Sequence, residues 1–237
     1  MSYVEGFVAA VPARNKDAYR EHAANSVALF KKLGATRQVE TWGDDVPVGK
    51  VTDFNGAVKA KPDEIVAFSW IEYPDKATRD RANEQMRNDP AMQDMGKNMP
   101  FDGQRMIWGG FAPINDSGAS RKPGYIDGIL TAVPEANKAA YLEMADKHAA
   151  LMREAGATRT VDCWADDVPD GKVTDFKGAV KATPEERIVY SWIEWPSKEA
   201  RDQGWEKIMK DPRMQALKLP FDGKRVVYGG FAPLLDQ

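Results

Sequence analysis

Acidic side chains stand beside aromatic ones along three short apolar segments of the sequence, and each segment occurs twice. The acids are Glu5, Glu40 and Glu72 in the first half and Asp127, Asp162 and Glu194 in the second. The neighbouring tryptophans are Trp42, Trp70, Trp164 and Trp192. A carboxyl group buried among apolar rings has a raised pKa and can then exchange a proton near neutral pH. The pattern indicates cofactor-independent acid–base chemistry on a small molecule, with Glu72 and Glu194 as candidate catalytic bases and the other acids and the tryptophans as candidate ligand contacts.

The same acids have a plainer interpretation, in which they lie at exposed strand ends or form ion pairs. Their candidate partners are Arg37, Arg105, Arg159 and Arg225. Trp70 and Trp192 are equally typical of packing in a core or an interface. Two other functions therefore stay open: a carrier or sensor that binds a small molecule without turnover, and a structural or stress-related assembly protein whose centre is packed solid.

A second group of charged residues lies in a loop-like sequence that is also written twice, DDVPVGKVTDF from Asp44 and DDVPDGKVTDF from Asp166. Its acids, prolines and glycines are typical of turns. The charged residues admit three interpretations: caps for those turns, a lid that faces a ligand, or an arm that reaches across to the other half of the chain. The third is favoured over the lid, because a duplicated interface requires the same loop twice, and the turn-cap interpretation stays open. The residues concerned are Asp44, Asp45, Lys50, Asp53, Asp166, Asp167, Lys172 and Asp175.

The repetition extends over the whole chain of 237 residues. The segment YVEGFVAAVPARNKDAY, which begins at Tyr3, corresponds to YIDGILTAVPEANKAAY, which begins at Tyr125. Near the end of each half, PFDGQRMIWGGFAP corresponds to PFDGKRVVYGGFAP. The intervening NDSGASRKPG has the Gly, Ser, Pro and charged residues of a linker. We therefore predict two homologous domains, 1–116 and 123–237, joined by a linker at 117–122.

Within each copy the hydrophobic periodicity changes in a definite order. A β-branched and aromatic run from Tyr3 to Val11 predicts a strand, and apolar residues at helical spacing predict a helix capped by Asn15. Two further strands, a second helix capped by Asp75 and a last strand complete the order βαββαβ. This order is typical of the ferredoxin-like α+β motif, an antiparallel sheet with helices on one face. We expect the two tandem domains to cover each other's bare faces in one intramolecular pseudo-dimeric α+β barrel, whose cavity the six acids would line.

Several phrases of the first half, YVEGFVAAVP, ATRQVETWGDDVPVGKVTDF, SWIEYP, DPAM and PFDGQRMIWGGFAP, resemble the YbaA-like family of small uncharacterised bacterial proteins. The resemblance covers nearly the whole of each half. It implies a dimeric α+β barrel, although family members are usually a single copy of about this half-length. It brings no activity and no catalytic residues, and the barrel superfamily includes cofactor-independent monooxygenases, haem enzymes, isomerases and ligand-sensing domains.

The composition of the chain argues against several classes of function. A formal net charge of −3, with acids and bases interspersed, lacks the positive field that nucleic-acid binding requires. The sequence contains no run of about 18 apolar residues, so we expect no membrane span. The single cysteine, Cys163, suits a cytoplasmic location. His22 and His148 do not correspond in the repeat, so a duplicated zinc or haem ligand and a Ser-His-Asp triad are unsupported. We expect no cofactor or metal; the expected partners are a small-molecule ligand and, beyond the pseudo-dimer, further copies of the chain.

Overall fold

A computed structural model describes residues 2–90, 96–119 and 122–237. In each half, a long helix follows the first strand and another follows the third. The strands are β1 (Tyr3–Pro12), β2 (Arg37–Asp45), β3 (Glu64–Tyr73), β4 (Ile107–Gly118), β5 (Tyr125–Pro134), β6 (Arg159–Asp167), β7 (Glu186–Trp195) and β8 (Val227–Asp236). The helices are α1 (Lys16–Lys32), α2 (Phe54–Ala57), α3 (Lys76–Asn88), α4 (Lys138–Ala155), α5 (Phe176–Ala179), α6 (Lys198–Met209) and α7 (Pro212–Gln215).

The eight strands close into one antiparallel barrel, with the hydrogen-bonded order β1-β3-β2-β8-β5-β7-β6-β4. Each half contributes four consecutive strands of this order in the ferredoxin-like arrangement, and the halves join where β2 pairs with β8 and where β4 pairs with β6. Barrel closure leaves no free sheet edge in either half. The predicted tandem ferredoxin-like fold and the pseudo-dimeric barrel are therefore confirmed. Within the described ranges, the helices all lack the length or the apolar character needed to cross a bilayer.

The connection between the halves is short. Strand β4 continues to Gly118, which pairs with Arg159 of β6, and β5 begins at Tyr125. Ser117 and Gly118, the first two residues of the predicted linker, are thus part of the barrel wall. Positions 120 and 121 of that linker lie outside the described residues.

Polar side chains at the helix starts follow the local sequence in part. The Asp75 carboxylate accepts a hydrogen bond from the Thr78 backbone N–H and caps α3, as predicted. Asn15 precedes α1 but does not cap it with its side chain. The Asn15 amide instead donates to the carbonyl oxygen of Pro100 at 2.7 Å. The start of α1 is therefore tied to the segment that leads into β4.

The barrel interior is a packed aromatic core. The Phe68 and Tyr190 rings stack with centroids 4.5 Å apart, and the Trp70 and Trp192 rings stack at 4.4 Å. Each of these four side chains is fully buried. Phe54 of α2 and Phe176 of α5 close on the same core and meet Phe231 and Phe111 edge to face, each at 5.3 Å. The interior is filled by side chains, as in other eight-stranded barrels, and the expectation of a ligand cavity there is wrong.

The duplicated loop crosses between the halves. The Tyr3 hydroxyl donates to Asp166 and the Tyr125 hydroxyl donates to Asp44, both at 2.9 Å. Further along the loop, the Thr174 hydroxyl donates to the carbonyl oxygen of Ala57 at 2.6 Å, and Thr52 makes the corresponding bond to Ala179. These contacts confirm the interpretation of the loop as an arm that holds the two halves together.

Candidate functional site

Strand register separates the six acids that the sequence placed in one cavity. Residues directly opposite each other in an antiparallel ladder project from the same face. Trp70 pairs with Gly6 and Val39, whereas Glu5 pairs with Ile71. The interior of the barrel is therefore lined by the face of β1 and β2 that does not carry Glu5 and Glu40. The prediction of six acids around a common barrel cavity is wrong: Glu72 and Glu194 point inward, and Glu5, Glu40, Asp127 and Asp162 point outward, toward the helices.

Glu72 and Glu194 belong to a buried arginine cluster, formed with Arg37, Asp116, Arg159 and Asp236. Arg37 Nη1 lies 2.7 Å from Glu194 Oε1, and Arg159 Nη1 lies 2.9 Å from Glu72 Oε1. Each guanidinium also forms two hydrogen bonds to an aspartate of the opposite half. The Trp70 and Trp192 indoles donate to Glu72 and Glu194 at 3.1 Å. Both candidate bases are thus held in ion pairs at the junction of the halves.

The other arginines named with these acids have separate partners. Arg105 forms an ion pair with Glu64 at 2.6 Å, and Arg225 forms the equivalent pair with Glu186 at 2.7 Å. The first of these ion pairs lies within the first half of the chain and the second lies within the second half. The ion-pair interpretation of Glu72 and Glu194 therefore holds for Arg37 and Arg159 only.

A cavity of about 850 Å³ lies outside the barrel, between the sheet of the first half and helices α1 and α3. We call it the first-half cavity. Most of its described wall is apolar, and Glu5 and Glu40 supply carboxyl groups from adjacent parts of the sheet. Its volume is in the range of small-molecule sites, which are about 300–1,000 Å³. The apolar residues of the wall include Phe7, Phe30, Ile71, Met86, Phe101 and Trp108.

Glu40 is held in a polar network on the sheet side of the cavity. The Tyr19 hydroxyl donates to Glu40 Oε2 at 2.7 Å, and the Gln38 amide donates to Oε1 at 2.9 Å. Burial raises the pKa of Glu40, against hydrogen bonds from Ser69, Tyr19 and Gln38 that lower it. Because both carboxylate oxygens already accept hydrogen bonds, Glu40 is suited to orienting its neighbours.

Glu5 has a more open environment. The Asn83 amide donates to Glu5 Oε1 at 2.9 Å, and Arg79 Nε lies 3.4 Å from the same oxygen. Oε2 accepts no hydrogen bond from any residue in the described ranges. Burial raises the pKa of Glu5, and the nearby Arg79 charge opposes that shift. The arrangement leaves one oxygen of a buried carboxyl group free to meet a ligand.

Arg79 links this site to the other half of the chain. Its side chain is 2% exposed, and Nη1 lies 2.6 Å from the carboxylate of Asp167, the last residue of β6. Its Nε and Nη2 make no hydrogen bonds to the described part of the chain, and neither does the buried Tyr73 hydroxyl. Buried polar groups are nearly always hydrogen-bonded, and leaving one unpaired costs about 1–3 kcal/mol. Because Nε faces Glu5 Oε1 in an ion pair, Nη2 is the donor of this cavity-lining arginine that would favour an acceptor group on a ligand.

Most of the other residues predicted to bind a ligand have structural partners. Trp42 and Trp164 are buried on the outer face, where Trp42 packs 6.3 Å from the Tyr19 ring. Asp53 and Asp175 cap the short helices α2 and α5. Lys50 and Lys172 are exposed, and Asp44, Asp45 and Asp166 make contacts across the two halves. Of the predicted set, the structure brings Glu5, Glu40 and Asp167 to the first-half cavity.

Several polar residues that line the cavity were not among the predicted site residues, because the prediction considered the acids and tryptophans of the strands and the charged residues of the duplicated loop. Tyr19 and Asn83 come from α1 and α3, and Gln38 comes from β2. A usable signal existed in Gln38, a polar residue two positions from Glu40 on the same strand face. His22 also lines the cavity, and its partial burial lowers its pKa. In the described ranges, no three His, Cys, Asp or Glu side chains form a group suited to a metal ion.

Comparison with solved structures shows the fold. A candidate monooxygenase from Lactobacillus acidophilus NCFM aligns with a TM-score of 0.58 at 10% identity, over 99% of this chain and 95% of that one. An anthrone oxidase-like protein aligns with a TM-score of 0.58 at 11% identity, over 100% of this chain and 92% of that one. At such identities the likeness concerns the barrel and not its chemistry.

Comparison of sequences shows the family. The uncharacterized protein YbaA of Escherichia coli (strain K12) is 62% identical over 116 residues, which make up 49% of this chain and 99% of YbaA. The model of DUF1428, a family described as a protein of unknown function, matches residues 2–103 and again residues 124–223. The chain therefore belongs to the DUF1428 family, and it carries two copies of that domain in tandem.

Proposed function

We propose that the first-half cavity binds a small, largely apolar molecule with a neutral hydrogen-bonding group, and that Glu5 exchanges a proton with it. One observation carries the proposal: the carboxyl group of Glu5 is buried in the cavity wall, has a raised pKa and keeps one oxygen without a donor in the described structure. A general base works best when its pKa approaches the working pH. Burial thus shifts the pKa of Glu5 in the direction that a general base requires.

The chemistry of the wall selects the ligand class. Its rings and methionines favour an apolar body, and transfer of a charged group from water into such surroundings is costly unless it is paired. A carbonyl or hydroxyl group is neutral and can accept a hydrogen bond from Arg79, whose Nη2 has no hydrogen-bond partner in the described chain. We therefore expect ketones and phenols of one to three rings to bind better than carboxylates of the same shape.

The residues support proton transfer next to a carbonyl group. Ionised Glu5 removes a proton from the adjacent carbon, the C–H electron pair becomes the carbon–carbon double bond of an enolate, and the carbonyl oxygen takes the negative charge. The Arg79 guanidinium, which lies beside Glu5 in the cavity wall, would stabilise that charge. Protonated Glu5 then gives a proton to the enolate oxygen, which yields the enol, or, after its proton has exchanged with solvent, to the carbon, which yields the ketone again. The cycle is an isomerisation of keto and enol forms that consumes no oxidant and no cofactor.

The proposal is tested with 2-tetralone, a neutral bicyclic ketone, in D₂O. The protein is expected to speed the exchange of the protons next to the carbonyl for deuterium, which NMR follows as a loss of signal. Glu5→Gln removes the base and should lower the catalysed rate by about 10²–10⁴-fold, the usual contribution of general base catalysis. Asp127→Asn is the matched control, because Asp127 is the counterpart of Glu5 in the second half, and it should leave the rate unchanged.

The alternatives give different results. Binding of 2-tetralone without any exchange would identify a carrier or sensor. Absence of both binding and exchange would favour a structural protein, in agreement with the filled barrel. Equal rates for the wild type and Glu5→Gln would remove Glu5 from the mechanism.

A further inference from the structure

We infer that each chain has one ligand site, in the first half, because two tryptophans fill the corresponding position of the second half. The inference rests on the proposed function of the first-half cavity and adds its stoichiometry. It also identifies the residue pair, Asn83 and Trp205, that determines which half is open.

The carboxylate that corresponds to Glu5 is fully occupied by protein groups. The indole N–H groups of Trp195 and Trp205 both donate to Asp127 Oδ2 at 2.8 Å. Arg201 Nε donates to Asp127 Oδ1 at 2.8 Å. Glu5 has Asn83 as its hydrogen-bond donor, and its Oε2 accepts no hydrogen bond within the described part of the chain. The second half thus provides from its own side chains the hydrogen bonds that the first half leaves for a ligand.

The fold makes room for these indoles. Trp195 and Gly204 stand at the repeat positions of Tyr73 and Ala82. A Cβ atom added at Gly204 would lie 2.5 Å from the Trp195 ring and 3.1 Å from the carbonyl oxygen of Ala155 in α4. The glycine therefore allows α6 to close over the larger ring. The indole is a matched part of the packing between α4, α6 and the sheet.

The unpaired polar atoms near Glu5 have paired counterparts near Asp127. In the first half, Tyr73 Oη and Arg79 Nε and Nη2 are buried without hydrogen-bond partners in the described structure. Their counterparts in the second half are the Trp195 indole and the Arg201 guanidinium, and both bind Asp127. The apolar lining changes as well, since fully buried Met152 and Ile208 replace partly exposed Phe30 and Met86. The first half therefore keeps buried donors without partners near Glu5, whereas the second half uses the corresponding positions to bind Asp127.

The second half keeps a part in the site through its arm. Asp167 of β6 contacts Arg79 and lines the first-half cavity. Asp45, the counterpart of Asp167, contacts Arg201 over the closed position. The two halves thus differ in role: the first half binds the ligand, and Asp167 of the second half positions Arg79 in the wall of the site.

Binding stoichiometry tests the inference. The probe is 2-naphthol, a planar phenol with the shape of the enol of 2-tetralone, titrated calorimetrically into the full chain. The wild type should bind one molecule per chain. Asn83→Trp, which introduces the indole of the second half, should abolish binding. The triple variant Trp195→Tyr, Gly204→Ala and Trp205→Asn, which restores three first-half residues around Asp127, should bind two.

Each other outcome has one meaning. Two molecules per wild-type chain would overturn the single site and leave the proposed function standing. No binding to the wild type would overturn the proposed function and, with it, this inference. One molecule that survives Asn83→Trp would place the site elsewhere and also overturn it. The Asn83→Trp result stands alone if the triple variant does not fold, as judged by circular dichroism.

Discussion

Glu5 and Asp127 occupy equivalent positions on β1 and β5, yet their surroundings give them different uses. Burial raises the pKa of both carboxyl groups. Asp127 receives two indole donors and a guanidinium, whereas Glu5 faces a cavity with a single amide donor. A raised pKa is therefore not sufficient to indicate a catalytic acid. The free carboxylate oxygen and the cavity beside it are what distinguish Glu5.

The raised pKa of Glu5 makes a prediction about stability. Because the folded protein binds the Glu5 proton more tightly than the unfolded chain, this group favours folding most below its ordinary pKa of 4.5. The contribution is lost as the pH rises through the folded-state pKa, and each pH unit between the unfolded and folded pKa values corresponds to about 1.4 kcal/mol. Glutamine does not titrate. Glu5→Gln should thus equal the wild type near pH 4 and exceed it in free energy of unfolding at pH 8.

Urea unfolding at a series of pH values measures this difference. The control is Glu84→Gln, on the exposed side of α3, which should follow the wild type at every pH. A constant gap between Glu5→Gln and the wild type would show that the carboxyl group titrates alike in the folded and unfolded states.

At the scale of elements, the crossing arm couples the site to the opposite half. Asp167→Asn removes the negative partner of Arg79, so the guanidinium loses the contact that positions it in the cavity wall. We expect 2-naphthol to bind roughly ten- to a hundredfold more weakly, since a hydrogen bond to a charged group contributes about 1.5–3 kcal/mol. Titration calorimetry gives the affinity.

Asp45→Asn is the control for that variant. Asp45 makes the same contact with Arg201 and is equally exposed, so both substitutions should cost similar stability. The control should bind 2-naphthol like the wild type, because Arg201 lies in the second half, where Trp195 and Trp205 occupy the position that corresponds to the ligand site. Equal weakening by both variants would point to a general loss of stability instead of a positioning role for Asp167.

The sequence predicts the elements better than it predicts the direction in which their side chains point. The order of strands and helices follows from local periodicity, and the repeat allows each element to be predicted independently in both copies. Alternation shows that Glu5 and Phe7 share a face of β1, but the opposite face, with Val4 and Val8, is also apolar. Which face enters the barrel depends on register with β3, a long-range property. The cavity depends on how α3 packs, which differs between the copies through Asn83 and Trp205.

At the scale of the whole molecule, the two halves form a dimer whose subunits share one chain. Their junction consists of the β2–β8 and β4–β6 ladders, the crossing arms and the arginine cluster. Each arginine of the cluster binds acids from the opposite half. Removing one partner of a buried ion pair leaves the other charge uncompensated and typically costs about 3–5 kcal/mol. The described residues between β4 and β5 add one backbone hydrogen bond to this junction, from the Ala119 N–H to the carbonyl oxygen of Thr158 at 3.1 Å.

These contacts predict that the halves stay together after the linker is cut. A protease site inserted between Ala119 and Gly124, after the end of β4 and before β5, should allow cleavage without loss of the barrel. Native mass spectrometry should then show both fragments in one particle near the 26.3 kDa of the intact chain, at micromolar concentration. In the cleaved protein, Arg37→Met leaves Asp236 without its cation and Glu194 with only the longer contact to Arg159 at 3.5 Å, and it should release the fragments. Arg225→Met, which breaks an ion pair inside the second half, should not. Separation of the wild-type fragments would mean that the tandem arrangement itself, through the high effective concentration of linked halves, is what maintains the barrel and the cavity that Asp167 completes.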